Sequence, residues 1–189
     1  TDVTIRNNDV GVVGGTVIGN RGAGVLVAAS SAGRPDRAVI TGNTVVGTTA
    51  SSRNNGDGIS LSGSTGARLL GNDIGVLGGV TAAANINGIT GSDVPGIVIG
   101  STGSVNANLV SANSTVGIQL IGDKNIGARI ENTIVGTNRA VNAALPNGTG
   151  VALGPNGSTP GGPSNVTITD VVISGNSKNG LEIKEATNV

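Results

Sequence analysis

One short phrase recurs through this chain: glycine, an apolar residue, a residue of any kind, another apolar residue. It stands at Gly24-Val25-Leu26-Val27, Gly58-Ile59-Ser60-Leu61 and, with its last position changed, Gly88-Ile89-Thr90. It returns at Gly117-Ile118-Gln119-Leu120, Gly150-Val151-Ala152-Leu153 and Gly180-Leu181-Glu182-Ile183. From Val25 to Leu181 the steps are 34, 30, 29, 33 and 30 residues. A period this regular restricts the chain to a repeat architecture, in which each unit buries its apolar face against its neighbours.

The residues that are missing narrow the choice. The 189 residues include no Phe, Tyr, Trp or Met. A core built from Val, Ile, Leu and Ala alone lacks the bulk that aromatic rings supply, so it must be narrow and layered. Disorder is disfavoured despite 34 glycines, because the apolar residues are periodic and the mean hydropathy is +0.17. Eleven basic side chains balance 11 acidic ones. That neutrality gives no electrostatic footprint for nucleic acid and no polybasic patch for a membrane surface. No apolar run reaches transmembrane length, so no membrane insertion is expected. Without Cys or His, disulfides and zinc sites are excluded and no serine can be activated by histidine.

Each repeat reads as three short strands. The first is a period-2 pair: Val3/Ile5, Ala38/Ile40, Ala67/Leu69, Ile97/Ile99, Ala128/Ile130 and Val166/Ile168. The second follows an asparagine, at Asn43, Asn72, Asn108 and Asn132, with Asp170 in that place in the last repeat. The third is the glycine phrase. Alternating β-branched residues cut by Gly, Asn, Asp and Pro are a strand-and-turn signal. Helical spacing is confined to a hint at Val80 to Asn85. The expected fold is all-β: a right-handed parallel β-helix, a single-stranded β-solenoid of about six coils of three short strands, forming one domain over residues 1–189.

In such a coil the recurrent polar residues have physical work. Gly24, Gly58, Gly88, Gly117, Gly150 and Gly180 enter the third strand, where the backbone needs either φ > 0 or freedom from a side-chain clash. Asn43, Asn72, Asn108 and Asn132, stacked at one corner, can pass hydrogen bonds from amide to amide and satisfy the bent backbone. The corner before the glycine phrase reads as short in the first, fourth and sixth repeats and long in the second, third and fifth. Insertions gathered on one face of a repeat fold are where binding is expected. The Gly- and Pro-rich stretch Pro155 to Ser164 is expected to be a mobile loop. The strand pattern begins at Val3 and ends just after Ile183 with no capping segment. A solenoid exposes unpaired strand edges at uncapped ends. The chain is therefore expected to be part of a longer one or to stack head to tail on copies of itself.

The phrases Asn108-Leu109-Val110-Ser111-Ala112-Asn113 running to Gly117-Ile118, Ile173-Ser174-Gly175-Asn176 running to Gly180-Leu181, and Asn132-Thr133-Ile134-Val135-Gly136-Thr137 running to Ala144-Leu145-Pro146-Asn147-Gly148 carry a resemblance. The chain resembles the right-handed parallel β-helix repeat family, the pectate-lyase-like solenoids, and most of all the repeat-bearing proteins of bacterial cell surfaces. That resemblance implies an extracellular or cell-surface location. It leaves function open, because the fold serves lyases, hydrolases and epimerases of acidic polysaccharides as well as non-catalytic stalks and adhesins. In the enzymes it implies a groove along the coil, acidic residues, a proton shuttle and often calcium.

The residues that could carry such chemistry are sparse. Hydrolysis needs paired carboxylates about 5–9 Å apart, and Asp73, Asp93, Asp123, Glu131, Asp170 and Glu182 fall in different columns, most of them reading as solvated. No catalytic residue and no metal ligand is assigned. Arg68 and Arg129 share an outward place in the first strand, two coils apart, with Val98 between them. They are the candidate binding residues, for the carboxylates of a surface glycan. Calcium is a weak candidate cofactor at Asn54-Asn55-Gly56-Asp57-Gly58, which has oxygen donors in a tight turn but lacks regular aspartate spacing. Four Asn-x-Ser/Thr sites, at Asn113, Asn147, Asn156 and Asn165, read as chance in a chain this rich in those residues. The function expected is a structural or adhesive solenoid module, with a polysaccharide-active enzyme as the rival.

Overall fold

The computed structural model describes residues 2–30, 33, 35–49, 56–103, 107–155, 157 and 160–189. Asn54 and Asn55 of the calcium-like turn, and the Asn156 acceptor, lie outside these. Among the described residues there is no helix; Val80 to Asn85 instead contains the short strand Thr81–Ala82. Each repeat delivers one strand to each of three six-stranded sheets, and every pairing within those sheets is parallel. Strands stacked in this way are compatible with a β-solenoid.

The first sheet holds Thr4–Arg6, Val39–Thr41, Arg68–Leu70, Val98–Ile99, Arg129–Glu131 and Thr167–Thr169. The second holds Asp9–Val10, Thr44–Val45, Asp73–Ile74, Asn108–Val110, Thr133–Val135 and Val172–Ile173. The third holds Val25–Ala28, Asp57–Ser62, Asn87–Ser92, Val116–Ile121, Thr149–Gly154 and Leu181–Ile183. Register stacks like on like. Ile5, Ile40, Leu69, Ile99, Ile130 and Ile168 form one column. Val25, Ile59, Ile89, Ile118, Val151 and Leu181 form another. Buried side chains from all three sheets meet in a single core cluster, each large one contributing about 1.5–3 kcal/mol by leaving water. Gly91 breaks the second apolar column of the third sheet because its room is taken: a Cβ there would lie 2.8 Å from Leu120 Cδ2 and 2.9 Å from Val94 Cγ2.

The insertions differ from the sequence expectation at one point. The first repeat, expected to turn short, carries a hairpin, Val12–Val13 paired antiparallel with Thr16–Val17. Its signal is Gly14-Gly15, both at positive φ, the two-residue turn whose twist matches antiparallel strands. The third repeat carries Val76–Leu77 paired with Thr81–Ala82, and in the fifth a bridge joins Thr137 to Ala144. All three insertions leave from the same corner, after the second strand. Those of the third and fifth repeats fold over the outer face of the second sheet, where Val76, Leu109, Ala112, Ile134 and Leu145 make a second small apolar cluster. The insertion of the second repeat falls largely on residues 50–55, outside those described.

Candidate functional site

Asparagines run through the molecule in two columns. In the first, the backbone N–H and Nδ2 of Asn8 both donate to Asn43 Oδ1, at 3.0 and 2.9 Å. Asn43 donates in the same way to Asn72 Oδ1, at 3.0 and 3.0 Å, and Asn72 to Asn108 Oδ1, at 2.9 and 3.1 Å. The remaining Nδ2 hydrogen reaches back to a carbonyl one repeat earlier: Asn43 to Ile5, Asn72 to Ile40, Asn108 to Leu69. Each inner amide thus uses two donors and two acceptor lone pairs, which is why it can be wholly buried without cost from an unmet polar group. Asn132 does not join this column. Asn108 pairs with Thr133, whose Oγ1 donates instead to the Ile99 and Glu131 carbonyls. Asn132 stands one residue earlier, at φ +38°, a conformation asparagine tolerates. By the same register Asp73 is level with Leu109 and then Ile134, not Thr133.

The second column lies at the corner before the glycine phrase. Asn85 Nδ2 donates to Asn113 Oδ1 at 3.1 Å, Asn113 Nδ2 to Asn147 Oδ1 at 2.9 Å, and Asn147 Nδ2 to Asn176 Oδ1 at 2.9 Å. Thr48 stands in the column below, its N–H and Oγ1 both on Asn85 Oδ1. Asn113 and Asn147 are fully buried; these two of the four Asn-x-Ser/Thr sites are scaffold. This column explains the glycines. Gly24, Gly58, Gly88, Gly117, Gly150 and Gly180 do not have positive φ. A Cβ on Gly58, Gly88, Gly117 or Gly150 would lie 2.8–2.9 Å from the Nδ2 of Asn85, Asn113, Asn147 or Asn176. It would also approach the carbonyl oxygen of the next glycine to 2.8, 2.4, 2.6 or 2.5 Å.

Arg68 and Arg129 stand in one outward column of the first sheet with Val98 between them, about 10 Å apart at the parallel strand spacing. Their surroundings differ. Arg68 lines a groove of about 540 Å³ with Arg37, Val39 and Val98, and makes no ion pair with a described residue. Arg129 is paired with Glu131, whose carboxylate also accepts the Thr102 N–H at 3.2 Å. Glu131, expected in solvent, is 3% exposed. Its side chain is enclosed below the Ser101 turn, and the Arg129 charge and the Thr102 donor offset the desolvation. The two arginines therefore do not form a matched pair: one is committed internally and the other is available.

The outer face of the third sheet carries Leu26, Ser60, Thr90, Gln119, Ala152 and Glu182 in one column. Asp57, also buried, accepts from Asn87 Nδ2 at 2.8 Å and Thr90 Oγ1 at 3.0 Å. The described part of the calcium-like turn thus supplies one carboxylate, turned to hydrogen-bond donors. Hydrogen bonds from Lys184 and Asn179 hold the Glu182 carboxyl below the usual carboxylate range. Among the described residues no three acidic side chains gather as metal ligands.

One further charged contact bridges insertions. Arg139, in the fifth-repeat loop, pairs with Asp73 two repeats below, while its guanidinium and backbone N–H donate to the Ala107 and Gly79 carbonyls at 3.0 and 3.0 Å. Arg139→Ala should lower stability by about 1 kcal/mol, since the guanidinium is partly exposed. Amide exchange should rise over residues 137–144 while the two asparagine columns keep their protection. Equal loss of protection in the columns would show that the loop is not a separate unit.

No protein-family model matches the chain, and no curated protein or solved structure is significantly similar to it.

Proposed function

We propose that the chain is a right-handed parallel β-helix of six coils, pectate-lyase-like in its repeat. We propose further that it acts as a non-catalytic structural or adhesive module of a secreted or cell-surface bacterial protein: a stalk, adhesin segment or fibre. The observation that carries this reading is the pair of buried amide columns running from repeat to repeat. They join successive layers by side-chain hydrogen bonds in addition to the parallel ladders, which suits an element that bears load along its axis. The handedness follows the rule that parallel crossovers are right-handed in about 98% of cases. The surface location rests on the resemblance of the repeat phrases. The scatter of the described carboxylates, with Asp73, Asp93, Glu131 and Glu182 each held by a cation, supports a scaffold over a catalytic groove.

The rival, a lyase, hydrolase or epimerase of acidic glycans, is favoured by one observation, the available Arg68 in its groove. Incubation with a panel of uronate polymers separates the two. The scaffold reading expects no unsaturated and no reducing sugar. Product release that is lost in Arg68→Ala overturns it in favour of the enzyme.

A further inference from the structure

Gly154 ends the third-sheet strand Thr149–Gly154, and nothing in its surroundings asks for glycine. Its φ is not positive. A Cβ there would find Lys184 O at 3.6 Å and Lys184 Cβ at 3.7 Å, both ordinary contacts. Gly150, in the same strand, is by contrast crowded to 2.5 Å by Gly180 O. Glycine weakens a strand, and one that no neighbour requires marks a place where a ligand comes close to the backbone.

The missing side chain opens a notch in the outer face of the third sheet. Two outward columns run side by side there. One passes from Gln119 through Ala152 to Glu182. The other passes from Ile121 through Gly154 to Lys184, which follows Ile183, the partner of Leu153. The middle layer therefore sets two small residues, Ala152 and Gly154, between longer side chains on either side. Together they bound a cavity of about 250 Å³, walled along the strand by Pro155. Drug-sized ligands occupy about 300–1,000 Å³, so this one takes a single small unit.

The polar groups at the rim suit a neutral ligand. Glu182 is paired with Lys184, so the notch carries no net charge. The second Glu182 carboxylate oxygen accepts from Asn179 Nδ2 at 2.9 Å, which holds the side chain in place. The half-buried Gln119 amide makes no side-chain hydrogen bond with a described residue, and it can both donate and accept. A carboxylate only accepts and an ammonium only donates, whereas a hydroxyl does both. Two neighbouring hydroxyls can thus meet Glu182 and Lys184 at once without separating the pair. A charged ligand gains a partner only by breaking it. Ile121, with the low surface over Ala152 and Gly154, offers an apolar patch to the C–H face of a ring.

We infer that this notch binds one neutral sugar unit, its vicinal hydroxyls on Glu182, Lys184 and Gln119 and its C–H face on Ile121, Ala152 and Gly154. The inference deepens the adhesive reading above and rests on it. It names a neutral saccharide as the ligand, where Arg68 on the first sheet would select an acidic one.

Nuclear magnetic resonance of the isotope-labelled 189-residue chain tests it. The probes are the methyl glycosides of glucose, galactose and mannose, their neutral oligomers, and glucuronic acid. A neutral probe should produce saturable shifts in the backbone amides of Ala152 and Gly154 and in the Gln119 side-chain amide. Tighter binding of an oligomer assigns the ligand to a glycan, and equal binding to a free sugar; both support the notch. Ala152→Leu and Gly154→Val fill the space from outward positions, and each should weaken binding at least about tenfold. Glu182→Gln keeps the shape but loses the charge-assisted acceptor, and should weaken it roughly tenfold. Arg68→Ala should change nothing. Circular dichroism checks that each variant keeps its β-sheet signature. Absence of saturable shifts with every neutral probe overturns the inference. So does binding that survives undiminished in both filled variants, or a preference for glucuronic acid over methyl glucoside. None of these results touches the scaffold reading. Release of reducing sugar from the oligomers would instead remove the non-catalytic reading beneath the inference.

Discussion

Asn113→Ala is expected to lower stability by about 3–5 kcal/mol, read as a shift of the urea midpoint by circular dichroism, since the chain has no aromatic residue to report by fluorescence. The Asn113 side chain accepts from Asn85 Nδ2 at 3.1 Å and donates to Asn147 Oδ1 at 2.9 Å and to the Ser111 carbonyl at 3.1 Å. All of these groups are buried away from water. Truncation leaves a buried amide hydrogen and a carbonyl without their partners, each costing about 1–3 kcal/mol, with a void between layers added. Asn113→Asp gives a sharper test. It keeps the acceptor for Asn85 but sets a carboxylate oxygen against Asn147 Oδ1 and the Ser111 carbonyl. At neutral pH this variant should be less stable than the alanine one, because a buried charge then faces acceptors. Its carboxyl in the folded state is pushed above its unfolded value. The penalty is therefore absent below the unfolded value and grows as pH rises through and beyond it. A stability of Asn113→Asp that does not recover in acid would show that the column tolerates a charge, and with it that the amide relay is not a continuous buried network.

The parts of this molecule that sequence made legible are those with a short repeat in residue type. The first-strand pairs alternate with period 2, and a slip of one residue would turn Ile40, Leu69 and Ile130 outward, so their register could be read directly. The glycine column was readable as a position but not as a cause: the two available reasons, backbone conformation and close approach, look the same in one dimension. Close approach turns out to act, because an asparagine column and a carbonyl column both run past the glycines. The second asparagine column was harder to see. Its members precede the glycine by three residues at Asn85 and Asn147 and by four at Asn113 and Asn176, and the insertions of the third and fifth repeats carry Asn85 and Asn147 far from the second strand. Asn147 was further disguised by the following Gly148, which reads as a turn. Asn132 misleads for the opposite reason. Asn132 and Thr133 can each offer a side-chain oxygen, and which one faces the column depends on the left-handed backbone at Asn132. At the candidate site, the shared column of Arg68 and Arg129 could be read from spacing. The burial of Glu131, which separates their roles, depends on the turn at Ser101 and has no local signature.

Gly117→Ala should be among the most damaging single-methyl changes in the chain, at about 3 kcal/mol or more, whereas Gly180→Ala should leave the stability of the single chain unchanged or slightly raised. Both replace glycine by alanine at the same place in the repeat, and neither glycine has positive φ, so conformational strain does not distinguish them. Surroundings do. A Cβ on Gly117 would lie 2.6 Å from Gly150 O and 2.9 Å from Asn147 Nδ2. The carbonyl is part of the third-sheet ladder and the amide is bonded above and below, so neither can retreat without opening the parallel spacing over two layers. Overpacking of this kind costs 1–3 kcal/mol in cores that can shift, roughly, and more where backbone must move. At Gly180 the nearest foreign atom is a side-chain methyl at 3.4 Å, which can rotate away. The lost flexibility of the unfolded chain then favours alanine by about 0.4–1 kcal/mol. Equal damage from the two would mean that glycine is required along the column for its backbone freedom. A large difference assigns that requirement to close approach from the neighbouring layer, whose glycine carbonyl and asparagine amide crowd Gly117 and have no counterpart beside Gly180 among the described residues.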